Sequence, residues 1–119
     1  MASLNKLAVA FSGASGDYSG SVNGIFLFQG IKDDMPFYKN LVNQSYCYRA
    51  SDGKWYVSTK ESFEAGKTAS YCYSVEAGCG HPSRASRWQV AVNGKFEEQP
   101  AVKVAILVLA LDKVMQTSC

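Results

Sequence analysis

Short apolar runs separated by turn-forming residues set the pattern of this chain. LAVAF (7–11), IFLFQ (25–29), PFYK (36–39), SYCYRA (45–50), KWYVST (54–59), ASYCYSV (69–75), SRWQVAV (86–92), KFEE (95–98) and AVKVAILVLAL (101–111) are rich in aromatic and β-branched residues. None before residue 100 carries the 3.6-residue period of an amphipathic helix. Asn23-Gly24, Asp52-Gly53 and Asn93-Gly94 tolerate positive φ and signal hairpins. The pattern predicts an all-β fold: a single antiparallel small sandwich or barrel built of hairpins. Val102, Val104, Ile106 and Val108 alternate with other residues, which suits a strand through about Val108. From Ala105 onward AILVLALDKVMQ suits a short helix as well, so the tail is read as strand or short helix. KESFEAGKTA (60–69) holds a helical turn, and SGASGDYSGS (12–21) reads as a flexible surface loop.

Register follows from matching apolar faces. The tetrapeptide SYCY occurs at Ser45–Tyr48 and again at Ser70–Tyr73, each copy ahead of a tryptophan segment, an order that fits an old duplication. An even loop at Asp52-Gly53 sets Ala50 opposite Trp55, Tyr48 opposite Val57 and Tyr46 opposite Thr59. Those residues would form the apolar face, leaving Cys47, Arg49, Ser51, Lys54, Tyr56 and Ser58 on the polar one. A three-residue loop would instead set Arg49 against Trp55. In the second copy Tyr71, Tyr73 and Val75 alternate with Ser70, Cys72 and Ser74, so both cysteines are expected on the less apolar face. A meander would hold Cys47 and Cys72 about 10 Å apart across two strand spacings, beyond the ~7 Å reach of a disulfide. At Asn93-Gly94 a three-residue loop, Val92–Gly94, sets Val90 opposite Phe96, so that Trp88, Val90 and Phe96 share a face. Both tryptophans are expected to face the core. The alternative is an exposed aromatic platform for sugars or peptides.

Composition narrows the class. A chain of 119 residues with 47% hydrophobic residues is one domain with enough apolar surface for one core; the whole of 1–119 is read as that domain. Only 18% of residues are charged and the net charge is +2, with no basic run, so neither a nucleic-acid footprint nor a polybasic membrane patch is expected. The apolar stretch Leu7–Phe11 is shorter than the ~7–15 residues of a signal-peptide core. AILVLAL (105–111) is far short of the ~20 needed to cross a bilayer. The expectation is a cytoplasmic protein without membrane insertion, whose thiols stay reduced.

Reactive constellations are sparse. Cys72, Cys79 and His81 give C-x6-C-x-H. Structural zinc sites use tighter C-x2–4-C knuckles, and Cys47 or Cys119 would have to complete this set. Cys79 and His81 therefore read as loop residues, with no metal or cofactor expected. His81 is the single histidine, and no G-x-S-x-G or P-loop accompanies it. Glu97 and Glu98 would point to opposite faces of a strand, and Asp33-Asp34 reads as a solvated turn before Pro36. An enzyme is not expected.

The ordered segments VNGIFLFQG, MPFYKN, SYCYRASDGKWYVS, ASYCYS, HP and RWQVAVNGKFEEQPAVKV resemble a small aromatic- and Gly-rich all-β module found in many protist and other eukaryotic proteins. The resemblance covers about residues 7–104 and leaves the tail, 105–119, outside. Such modules accompany repeats and interaction domains. The resemblance therefore implies a binding or scaffolding role and supplies no catalytic residues. The first expectation is a non-catalytic protein-interaction module with a protein partner, using Arg49, Lys54, Tyr56, Tyr73 and Arg87, since Tyr and Arg are favoured at interfaces. The alternative is a small-ligand or glycan-binding domain with an aromatic groove. A third reading, an enzyme using His81 or a thiol, ranks below both.

Overall fold

In the structure, a computed structural model describing residues 7–67 and 69–108, turn chemistry lays out the strands. The elements are β1 (Leu7–Ser12), α1 (Ser19–Val22), β2 (Gly24–Lys32), β3 (Met35–Asn40), β4 (Tyr46–Arg49), β5 (Trp55–Ser58), α2 (Lys60–Ala65), β6 (Cys72–Ser74), a 3-10 turn (Pro82–Arg84), β7 (Trp88–Val92), β8 (Lys95–Glu98) and β9 (Lys103–Val108). Every apolar run of the sequence thus becomes a strand. They form one antiparallel sheet in the order β8-β7-β6-β5-β4-β3-β2-β1-β9. The residues from 109 onward, including the candidate tail helix and Cys119, lie outside the described residues.

The connectivity forces the sheet to curl. β8 and β9 are its two edges, yet only residues 99–102 join them. Flat, nine strands would hold the edges about 38 Å apart, while that link reaches about 18 Å at most. The sheet is accordingly a half-barrel. Gln99 pins the crossing. Its backbone N–H donates to the Trp88 carbonyl at 3.0 Å, and its side chain exchanges hydrogen bonds with the backbone of Ser15 at 2.9 and 3.1 Å. Gly13, at φ +85°, passes so close to this link that a Cβ would lie 1.9 Å from the Ala101 oxygen.

Turns decide the register, and two expectations are corrected here. Residues 51–53 form a three-residue loop, closed by Ala50 N–H to Lys54 O (3.0 Å) and Gly53 N–H to Ala50 O (2.9 Å), with Gly53 at φ 84°. The pairs are therefore Tyr46↔Ser58, Cys47↔Val57, Tyr48↔Tyr56 and Arg49↔Trp55. A slip of one residue reverses a strand's faces: Tyr46 and Tyr48 leave the expected core face and Cys47 enters it. Thr59, expected opposite Tyr46, instead caps α2, accepting the Ser62 N–H at 3.1 Å. Asn93-Gly94 is a two-residue turn, both residues at positive φ (52° and 78°), so Ala91, not Val90, opposes Phe96. Phe96 is therefore on the outer face, 44% exposed, and does not join Trp88 and Val90.

Asp33-Asp34 forms the tight β2–β3 turn, also with both φ positive. Asn23-Gly24 makes no hairpin. Asn23 follows α1, and its side chain clamps the backbone of Ala14 at 3.0 and 2.9 Å. The 12–21 stretch is correspondingly less open than expected, since Ala14 is buried and α1 inserts Val22 into the core.

The core fills the concave side. Val9, Phe11, Phe26, Tyr38, Cys47, Trp55, Val57, Cys72, Trp88 and Val90 are buried there, and both tryptophans face inward as expected. The loop between β6 and β7 covers them. Its Pro82 and Ala85 are buried, the Trp55 indole N–H donates to the Cys79 carbonyl at 2.8 Å, and the Trp88 indole N–H donates to that of Ala85 at 3.2 Å. Among the described residues no helix is long and apolar enough to cross a membrane.

Candidate functional site

The same register that buries the thiols lines up tyrosines outside. Tyr48, Tyr56 and Tyr73 are directly opposed on β4, β5 and β6, so their rings share the convex face. Tyr48 and Tyr56 stack with centroids 6.1 Å apart, and Tyr56 and Tyr73 at 5.7 Å. On β7 the small Ala91 opposes Phe96, and the Tyr73 and Phe96 rings meet edge to face at 5.0 Å. At the other end α2 lays Phe63 over the sheet, stacked on Tyr46 at 5.1 Å and 4.4 Å from Phe37. An aromatic ladder thus crosses the convex face.

Its two ends differ. Tyr48 and Tyr56 are each only 4% exposed, whereas Tyr73 is half-buried and Phe96 open. The Tyr48 hydroxyl donates to the Lys67 carbonyl at 2.9 Å, and that of Tyr56 to the Asp52 carboxylate. Burial pushes the Tyr48 phenol up to about 12. Burial, then the hydrogen bond to Asp52 and its charge, raises Tyr56. At the open end the Lys54 ammonium sits 5.4 Å from the Tyr73 ring centroid, a cation–π contact. Arg87 grips Glu98 with two hydrogen bonds, 3.1 and 2.8 Å.

Of the residues singled out in the sequence, Lys54, Tyr56, Tyr73 and Arg87 border or form this ladder. Arg49 does not. It opposes Trp55, and its Nη1 donates to the Cys79 carbonyl at 3.2 Å, the acceptor Trp55 also uses. Sequence reasoning left out Tyr48, Phe63 and Phe96. Phe63 carried a legible signal, the helix start at Thr59; the other two depended on loop length. Beside the covered end, between the β2–β3 hairpin, α2 and the β4–β5 turn, opens a cleft of about 390 Å³.

Burial holds the two core thiols in their protonated form. Cys47, Cys72 and Cys79 are free. Burial, and secondarily the neighbouring Cys72, raises the Cys47 thiol well above its ordinary value, and burial raises Cys72 too. A thiol that keeps its proton is a poor nucleophile. His81 accepts the Ser83 N–H at Nδ1 (3.1 Å), and burial, then Arg84, lowers its pKa. Cys72 faces the core while His81 packs on Tyr38, 5.9 Å between ring centroids. Among the described residues no three His, Cys, Asp or Glu side chains converge as metal ligands would. Comparison with family models, with curated proteins and with solved structures finds no match to this chain.

Proposed function

We propose that this protein is a non-catalytic interaction module that docks a protein partner on the open end of the convex aromatic ladder. One observation carries the reading: the ladder ends unsheltered at Tyr73 and Phe96, with Lys54 and Arg87 beside it. Aromatic residues rimmed by cations suit interface hot spots, and an exposed Phe anchored by packed rings loses little conformational entropy on binding. The raised pKa values of the two buried thiols favour binding over thiol catalysis. Free cysteines suit a cytoplasmic setting. The resemblance to a eukaryotic all-β module that accompanies interaction domains points the same way, and the small, dispersed net charge of +2 favours protein over nucleic acid.

The test is comparative capture from a eukaryotic cell extract. Immobilised protein should retain a partner that Phe96→Ala and Lys54→Glu each lose, while Ser86→Ala, a polar change off the ladder, keeps it. Retention of the same partner by both ladder variants would refute the assignment.

A further inference from the structure

We propose that the cleft beside the covered end of the ladder binds a small organic monoanion, a planar apolar body carrying one carboxylate. This site goes beyond the interaction surface, because neither Tyr73 nor Phe96 lines it. Its volume, about 390 Å³, falls within the ~300–1,000 Å³ of small-molecule sites. Met35, Pro36 and Phe37 on β3 and Tyr48 on β4 supply apolar lining, and Lys32, Asp33 and Arg49 supply the charges.

Those charges do not cancel: the lining holds two cations and one carboxylate, a single positive excess. Among the described residues no carboxylate lies within ion-pair distance of Lys32 or Arg49. Both cations are nevertheless held in place. The Lys32 ammonium donates to the Phe63 and Glu64 carbonyls at 2.8 and 3.3 Å and lies 4.7 Å from the Phe63 centroid. Arg49 is tethered through Nη1 to the Cys79 carbonyl, its one hydrogen bond to a described residue. Its Nε and Nη2 make no hydrogen bond to a described residue, and a guanidinium matches a carboxylate in plane and spacing. A guanidinium at the rim of an apolar-lined cleft selects a flat molecule with an anionic end. The single net charge matches a monocarboxylate better than a phosphate dianion.

Titration of ¹⁵N-labelled protein with 1-naphthoate, its neutral isostere 1-naphthamide, and acetate tests this. Naphthoate should shift amides within 32–37 and 48–53 and bind at least tenfold more tightly than naphthamide, while acetate leaves those amides in place. Arg49→Gln should weaken naphthoate at least tenfold. Asp33→Asn keeps a residue tolerant of the left-handed turn conformation, φ 52°, and raises the net positive excess. It should tighten naphthoate severalfold and leave naphthamide unchanged. Should Arg49→Gln fail to fold, Asp33→Asn decides alone. Equal binding of acid and amide, no binding of either, or naphthoate affinity unmoved or weakened by Asp33→Asn would overturn the proposal. None of these outcomes bears on the ladder.

Discussion

β4 and β6 carry the same tetrapeptide on either side of β5, and the structure treats the two copies almost as mirror images. Cys47 and Cys72 both oppose Val57; Tyr48 and Tyr73 both oppose Tyr56. Inside, the copies are equivalent, with both thiols fully buried. Outside, they diverge. Tyr48 lies against α2, 5.3 Å from the Phe63 ring and hydrogen-bonded to Lys67. Among the described residues no helix lies over Tyr73, which beyond its stack on Tyr56 meets Phe96 and Lys54 at the open end. Identical local sequence thus yields one buried tyrosine and one left half-exposed. The difference lies in what the chain between β5 and β6 lays over its own outer face.

Removing the ring from each copy probes that contrast most strongly. Tyr48→Ala should cost about 3–5 kcal/mol, as for other buried aromatics, and Tyr73→Ala about 1 kcal/mol, as for an average substitution. Urea denaturation monitored by tryptophan fluorescence measures both, and equal losses would break the comparison.

On the inner face the copies should instead agree. Cys47→Ser and Cys72→Ser each place a hydroxyl in an apolar core, at about 1–3 kcal/mol apiece. In the native protein, iodoacetamide should modify the half-buried Cys79 well before either. Fast alkylation of Cys47 or Cys72 would show that the interior opens.

Alkaline titration sharpens the difference more gently. Tyr48 and Tyr38 are both raised to about 12, chiefly by burial. The unfolded phenols release their protons near ~10, so between pH 10 and 12 the unfolded state holds fewer protons and is favoured. Stability should be complete below pH 10 and fall as pH rises toward 12. Tyr48→Phe should flatten that fall. The smallest effect belongs to Lys54→Ala. It should lower stability by about 0.5 kcal/mol, the worth of an exposed cation–π contact, while weakening partner capture.

Much of this was legible in the residues. Alternating and aromatic runs placed every strand, KESFEAGKTA placed α2, and the inward turn of Trp55 and Trp88 followed from their neighbours. The relative facing of β4 and β5 was not legible. Pairing by apolarity put Tyr46 and Tyr48 with Trp55, although tyrosine packs well on a half-covered outer surface and cysteine ranks among the most buried residues. Loop length carried the decision, and Asp52-Gly53 is compatible with more than one. The candidate site inherited that ambiguity: Tyr56, Tyr73, Lys54 and Arg87 border the ladder, while Arg49 moved to the cleft.

Local preferences, summed along each segment, settle which residues extend and where the chain turns, because they depend only on near neighbours in sequence. The facing of one strand against the next, the curl that brings β8 round toward β9, and the covering of Tyr48 but not Tyr73 arise between distant segments. There a shift of one residue exchanges inside for outside at little local cost, and only the packed whole discriminates between the two arrangements.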